Sequence, residues 1–574
     1  MKLKILSLLV AMLAIVMLFA SCGGGGDDSG SGDGGSTGGG STASNQFIVQ
    51  LYENSNKGEL TSGLKRYYAG GDETYSTNID DLITARNKAA NEYAGVNPVY
   101  DYKTQYAWGE SVDYISDLVK SGYTTTPDIF CNYAYDLTAI ALRGHFANLF
   151  TNTVAGLETN GTNNYFRFTD ESYQPSLEGY FDSRAGEGYF FDYMKSLAFA
   201  NSDGAYTKMY CLASDYTLDV VRAFLVMPVN VTIMNHLSMY CNEYATDRNN
   251  DGKFDITDFY DLVWDGEWTY DVLAAFANSA YVPGTGDNAN TDMTDTVIGA
   301  AFGRTSGLTA AGLLYSSSVK IIEKTFDANG CTYYYPNSNE ELGDFAAALN
   351  DLFSKGATNG ICSVSTNEAI AAGLFSSVAG QGDLAGIRVK FAKNEVLFGG
   401  IIAIGSVETN EFKSMNADGG FGIVPVPLYR DGDDYLTVVH NIARVVAIAK
   451  TTTEFEQCTK FLDYQSRNSA SIINTYYNNE LVAQVNGLSE NVEMLGYIRD
   501  HVRDCFDNTY EDIISAYLAG NGDENAYQNK WHIRLKNQGY MYTALGEDYK
   551  YYYGQKQGEL EDILAAWDKL SVPR

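Results

Sequence analysis

The chain is short of the residues on which much catalytic and metal chemistry is built. It has five His in 574 residues, namely His145, His236, His440, His501 and His532. None falls in H-E-x-x-H or another ligand spacing, so a zinc enzyme has no sequence support. Past residue 46 there is no G-x-S-x-G, the turn that would carry an α/β-hydrolase serine. Basic residues are outnumbered, with 39 Lys and Arg against 72 Asp and Glu and a net charge of −33. Nucleic acid and anionic membrane would both be repelled by such a surface. Eight cysteines are present, and the seven after Cys22 are Cys131, Cys211, Cys241, Cys331, Cys362, Cys458 and Cys505. They form no C-x-x-C pair and are odd in number, which removes the spacing signal for metal or thioredoxin-like chemistry. They read as small buried apolar residues with room for one bridge. Beyond the N-terminus no apolar run approaches the roughly 20 residues of a spanning helix.

What the chain does have is apolar and aromatic material. Hydrophobic residues make up 45% and charged ones 19%, enough for a large core and too apolar for wholesale disorder. At roughly 100 to 200 residues per domain, the length implies two or more folding units. The 44 Tyr and 27 Phe supply flat surface that suits sugar rings and equally suits ordinary half-buried packing.

Residues 1–21 have the anatomy of an export signal: Lys2 and Lys4, then an unbroken apolar stretch from Ile5 to Ala20 that is short for a membrane span. Ala20 and Ser21 before Cys22 resemble a bacterial lipobox, with Phe19 where Leu is usual, so Cys22 is the expected lipidation site. Residues 22–46 are a Gly/Ser/Asp tract without an apolar anchor, expected to act as a flexible tether with a reach of about 28 Å. Its glycines lack the Gly-Lys-Ser/Thr of a phosphate loop.

The body then alternates. Phe47 to Glu53 reads as a strand. A helix follows from Asn78, with Ile79, Leu82, Ile83, Ala90 and Tyr93 on one face and Gly95 as its stop. Next come a strand around Pro98 to Thr104, a helix from about Ser111 to Ser121, the strand Pro127 to Cys131, and a helix through Ala139, Leu142 and Phe146. This is the grammar of a parallel sheet covered by helices, whose ligands lie beyond the carboxyl ends of the strands. Those ends carry Glu53 and Asn54 after the first strand, and Asn132, Tyr133 and Tyr135 after the third. Further buried strands are expected at Thr207 to Leu212, Val220 to Val231, Gly399 to Val407, Gly422 to Val426 and Thr437 to Ala449. The region from Glu454 onward reads as mostly helical, ending in a helix with Leu560, Ile563, Leu564, Trp567 and Leu570.

Several of these segments together resemble the family 1 extracellular solute-binding proteins, lipid-anchored receptors of bacterial ABC importers, most of whose characterised members bind sugars. The likeness is carried by the lipobox at Cys22, by FIVQLYE (Phe47 to Glu53), TARNKAANEY (Thr84 to Tyr93) and TPDIF (Thr126 to Phe130), and by GEWTYDVL (Gly266 to Leu273). VLFGGIIAIGS (Val396 to Ser406), GIVPVPLYRDGDDY (Gly422 to Tyr435) and the stretch from Ile442 to Tyr464 complete it. The resemblance implies an α/β, two-lobed periplasmic-binding-protein-like fold of type II, with the ligand in a cleft between lobes. One lobe would hold 45–210 and 436–465, the other 211–435 and 466–574. It also implies a monomer that hands its solute to the permease subunits of an importer. The implied ligand-binding residues are Glu53, Asn54, Asn132, Tyr133, Tyr135, Trp264, Trp268, Ser406, Tyr435, His440 and Asn441. For Trp268, packing at a helix start capped by Thr269 is the stronger reading. A glycosidase needs only two carboxylates and stays open as the alternative.

One motif is specific. Residues 247–258 read DRNNDGKFDITD. This places Asp247, Asn249 and Asp251 at positions 1, 3 and 5 of an EF-hand-like loop, Gly252 at 6, the Lys253 carbonyl at 7, Asp255 at 9 and Asp258 at 12. A structural Ca²⁺ is expected there.

Overall fold

The structure, a computed structural model, describes residues 46–54, 68, 78–106, 109–122, 125–149, 166, 188–190, 193–194, 197–200, 206–282, 297–303, 307–320, 323–327, 330–334, 340–354, 360–364, 383–415, 420–440, 443–481 and 489–502. The signal, Cys22, the tether, Asn441, Cys505, most of 150–206, the Tyr-rich 549–556 and the helix expected at 560–570 lie outside the described residues.

A four-stranded sheet opens the body. It is built from β1 (Ile48–Asn54), β2 (Val99–Tyr106), β3 (Ile129–Tyr133) and β14 (Arg444–Ile448) in the order β14-β3-β1-β2. The first three are parallel, and β14 runs antiparallel to β3, from Arg444 opposite Tyr133 to Ile448 opposite Ile129. Strands buried on both faces are nearly continuous apolar runs, and every residue of β3 and β14 is buried, with Asn132 and Arg444 as the polar exceptions. Between these strands run α1 (Asn78–Ala94), α2 (Ser111–Ser121) and α3 (Ala134–Leu142). Gly95 and Gly122, at φ +70° and +59°, take the left-handed conformation that ends α1 and α2.

A short helix α4 (Asp219–Arg222) leads into the second sheet. That sheet has the order β10 (Ile361–Val364), β7 (Ile298–Gly303), β11 (Val396–Phe398), β6 (Leu225–Asn230), β12 (Ile402–Ala403), with β13 (Phe421–Val424) also on β6. The strands β10, β7 and β11 are parallel, while β6 opposes its neighbours. Two ribbons, β4 (Ala198–Ala200) with β5 (Tyr206–Met209) and β8 (Glu323–Asp327) with β9 (Gly330–Tyr334), lie outside the sheets. The expected α/β class is the one observed, with the described strands and helices organised around two main sheets. Among the described residues no helix is long and apolar enough to cross a membrane.

Three strand expectations are corrected. Val220 to Val231 is the helix α4 followed by β6, because Asp219 and Arg222 are paired through the helical turn. Gly399 to Val407 breaks after β11. Gly400 has φ +75°, and a Cβ there would lie 2.5 Å from the Ala301 carbonyl oxygen, so only glycine continues the chain at that point. After β12 the chain tightens into a 3₁₀ turn, Ile404–Glu408. Of Thr437 to Ala449, the regular strand is β14 alone. Cys131, Cys211 and Cys458 are free and buried, and Cys241 is free and half-buried.

Candidate functional site

The order β2-β1-β3 sends the connections of the first sheet to opposite sides of β1. In open α/β sheets a reversal of this kind marks the ligand position, which here is beyond the carboxyl ends of β1 and β3. Glu53 stands half-buried at the end of β1, and Asn54 is placed by its pairing with Tyr106. At the end of β3, Asn132 is buried. Its Oδ1 accepts from the Tyr133 amide at 2.8 Å, and its Nδ2 donates to Ser111 Oγ at 2.8 Å. The Ser111 hydroxyl donates to Asp136, whose other oxygen accepts from the Gly109 amide at 3.2 Å. These bonds tie the start of α2 to the first turn of α3. Burial pushes the Asp136 carboxyl up to about 6, against the three hydrogen bonds that favour its charged form. Tyr135 is buried on the same turn.

Arg444, the first residue of β14, lies fully buried beside these strand ends. Its Nε donates to the Tyr52 carbonyl at 2.9 Å, and its guanidinium carbon lies 5.0 Å from the centroid of the Tyr133 ring. Nη1 pairs with Asp219 Oδ2 at 2.6 Å, and Asp219 Oδ1 takes Arg222 Nη1 at 3.1 Å. Arg222 then grips Glu408 with Nε and Nη2 at 2.9 and 3.0 Å, and the Tyr476 hydroxyl donates to Glu408 at 2.7 Å. A chain of alternating charge thus runs from the first sheet, through α4, to the turn behind β12. Buried charges persist only when paired and hydrogen-bonded in this way. His440 is half-buried beside α4, its amide bonded to the Ala223 carbonyl at 3.0 Å, and Ser406 is buried in the turn that carries Glu408.

The remaining candidates stand elsewhere, in the second body. Trp268 is fully buried, with its ring 5.0 Å from Phe259 and 5.2 Å from Phe398. Its Nε1 is spent on the Pro425 carbonyl at 3.0 Å, and its amide on the Tyr435 hydroxyl at 2.9 Å. Of the two readings of Trp268, packing at a helix start is the one the structure shows and ligand stacking is corrected; Thr269 caps the helix Tyr270–Ala280. Tyr435 is buried as its partner, while Trp264 is half-buried against Tyr260 at 5.9 Å.

Sequence reasoning missed Asp219, Arg222, Glu408, Arg444, Ser111 and Asp136. A signal existed for the arginines. Asp219 and Arg222 interrupt the apolar run from Leu218 to Val229, and Arg444 interrupts the one from Val438 to Ala449; a charge inside an apolar run implies a buried partner.

The loop 247–258 winds as its glycine requires, with Asn250 and Gly252 at φ +62° and +89°. Asp247 accepts from the amides of Asp251 and Gly252 at 3.0 and 2.8 Å, and Asp251 from that of Lys253 at 3.1 Å. Asp258 accepts from Arg248 and Asn249, and with Asp255 it makes the capping box of the helix Ile256–Trp264. The two local cations differ in role: Lys253 pairs with Asp255 and Asp251, whereas Arg248 turns outward to Asp265 and Glu267. Among the described residues no three His, Cys, Asp or Glu side chains converge as a ready metal cluster.

No protein-family model and no curated protein matches the chain. Solved structures that resemble it include the GacH receptor of Streptomyces glaucescens, determined unliganded and with acarbose (10% identity, 89% of this chain and 99% of that one, TM-score 0.43). A second is the galacto-N-biose/lacto-N-biose I-binding protein of a Bifidobacterium longum ABC transporter (10% identity, 91% and 98%, TM-score 0.44). A third is an extracellular solute-binding protein of Staphylococcus aureus with maltose (10% identity, 86% and 96%, TM-score 0.43).

Proposed function

We propose that the chain is the solute-binding receptor of an ABC importer and that it captures an oligosaccharide between two lobes, 45–210 with 436–465 and 211–435 with 466–574. The observation that carries this reading is the reversal of strand order at β1 and β3, next to a strand, β14, that returns to the first sheet after the whole second sheet has been built. Ligands of open α/β sheets bind at such switch points. Of the residues at these strand ends Glu53 is half-buried, while Asn132 and Tyr133 are buried and bonded within the protein, Asn132 to Ser111 and Tyr133 to Arg444. Sugars are neutral, so the net charge of −33 does not oppose them. Binding without catalysis is the role assigned. Incubation with a panel of oligosaccharides is expected to raise the melting temperature and leave the glycans intact. One of them at 100 times its Kd would add about 2.7 kcal/mol by mass action. Protein-dependent cleavage products would instead establish a glycosidase.

We also propose that the protein is held on the extracytoplasmic face of a bacterial membrane by acyl chains on Cys22, at the end of the 22–46 tether, and works there as a monomer with its permease partners.

The loop 247–258 is proposed to hold a structural Ca²⁺. Its donors would be Asp247, Asn249, Asp251, the Lys253 carbonyl, Asp255 and Asp258, an all-oxygen set of the kind Ca²⁺ accepts. Four carboxylates with Lys253 as their one paired cation supply the need for a dication. Chelation is expected to lower the melting temperature and added Ca²⁺ to restore it, by about 1.4 kcal/mol when free Ca²⁺ is roughly ten times Kd. Asp251→Ala should remove the response. A full calcium response in that variant would place the ion elsewhere.

A further inference from the structure

The charge chain does more than pair buried charges, because of where its members lie along the polypeptide. The chain passes from the first sheet to the second between 213 and 225 and returns between 437 and 443, and a third passage separates the helix Ala470–Thr475, packed on α1, from the helix Ser489–Asp500, packed on β13. Asp219 and Arg222 belong to the first passage, Arg444 ends the second, and Tyr476 belongs to the third. Glu408 comes from the second body, at the end of the 3₁₀ turn after β12. One connected set of ion pairs and hydrogen bonds therefore touches every passage. The first two passages are also stitched directly, by the Leu225 amide on the Val438 carbonyl at 2.9 Å and the His440 amide on the Ala223 carbonyl at 3.0 Å.

The members differ in their access to water. The side chains of Asp219 and Arg444 are 0% exposed and that of Arg222 is 1% exposed, whereas Glu408 is 16% exposed. Breaking the inner pairs would strand a charge in a dry interior. Of these four side chains Glu408 is the one with appreciable exposure, so it is the one for which water can replace a protein partner at least cost. Its hydrogen bond from Tyr476 leads to a π-helical turn, Tyr476–Leu481, a conformation that is rare and concentrates at functional positions.

We infer that α4 is a charge-clamped splint between the two sheet bodies, fixed to the first by Arg444 and latched to the second through Arg222–Glu408, and that Glu408 is the contact released when the bodies move apart. The inference rests on the reading that the bodies close on a solute. The latch sets how freely the ligand-free protein opens. Ligand affinity would then include the work of making or breaking this contact.

The test uses the full chain without any ligand, so it is independent of the oligosaccharide panel. Glu408→Gln keeps the side-chain shape and removes the charge. Tyr476→Phe removes one hydroxyl and leaves the ion pair. Small-angle scattering should give a larger radius of gyration for Glu408→Gln than for the parent. Amide exchange at Leu225 and His440 should rise roughly 5- to 150-fold, the span of an ordinary coupling free energy. The Leu212 and Val446 amides, which bond reciprocally at β14 of the first sheet at 2.8 and 3.0 Å, ahead of the first passage, should keep their protection. Tyr476→Phe should move the same readouts less far in the same direction, and it carries the test if Glu408→Gln does not fold. Unchanged scattering and exchange in a folded variant would overturn the latch. So would an equal rise at all four amides, which would make Glu408 a packing residue of the whole fold.

Discussion

Asp219→Ala is expected to cost about 3–5 kcal/mol of stability, the range for removing one partner from a buried pair. Two arginines depend on this one carboxylate, Arg444 at 2.6 Å and Arg222 at 3.1 Å. The burial of Asp219 and Arg444 leaves no room for solvent to take over. Folded proteins have a margin of roughly 5–15 kcal/mol in all, so the variant is expected to melt at far lower urea or to be recovered largely insoluble. Asp219→Asn keeps the volume and one acceptor and should fall between the two. Asp117→Ala is the matched surface control. Its pairing with Lys120 at 3.6 Å involves side chains 76% and 59% exposed, and such pairs contribute less than about 1 kcal/mol. A midpoint for Asp219→Ala within about 1 kcal/mol of the parent would mean that Arg444 and Arg222 find other partners and that the chain of charges is not the organising feature described above.

Replacing Cys22 by Ser is expected to remove the protein from the membrane fraction altogether. The thiol is the nucleophile that the proposed lipidation requires, and a serine hydroxyl is not acylated in its place. Once the signal is removed, no helix among the described residues is long and apolar enough to cross a membrane. The tether 22–46 has no apolar anchor, and a net charge of −33 is repelled by anionic lipid. Fractionation of cells that express each form should therefore show the parent with the membrane and the variant in the soluble or medium fraction, without incorporation of a fatty-acid analogue. Persistent labelling of the variant would mean that the acylated residue is another one. An unlabelled variant that still pellets with membranes would point either to a retained signal, visible as a mass larger by residues 1–21, or to attachment through protein contacts.

The regular parts of the fold were legible where local chemistry decides them. The helix expected from Asn78 with its stop at Gly95 is Asn78–Ala94, and the one expected from Ser111 to Ser121 has those bounds. Both have an apolar face at helical spacing and a glycine that ends them. The errors fall where a long-range partner overrides the local pattern. Val220 and Val221 are strong strand formers, yet they lie in a helical turn because Asp219 and Arg222 must both reach buried partners. The sheet arrangement was legible as a class, since alternating strands and helices leave few topologies. The candidate site was legible only at the strand ends. Glu408 is 186 positions from Arg222, and Arg444 is 225 from Asp219; a single sequence does not couple residues at such distances. Trp268 misleads for another reason, because an aromatic residue near a cleft motif reads alike whether it faces a sugar or a core.

The position of β14 also bears on how the protein comes to be made. The first sheet begins with Ile48 and is closed by Arg444–Ile448, so its last strand emerges only after most of the polypeptide has been synthesised. Until then β3 has a bare edge of backbone amides and carbonyls along an apolar strand, the kind of surface that pairs with other chains and aggregates. Contacts this distant in sequence also form slowly, because the loop-closure entropy of the whole intervening segment is spent before they contribute anything. For the export proposed above, in which the polypeptide crosses a membrane as an extended thread, slow closure is useful. The N-terminal half cannot lock into a finished sheet while the remainder is still inside, and a delivery factor has time to keep it threadable. Truncation before residue 444 should then yield material that is secreted poorly or clumps, even though every strand of the β1–β3 core is present.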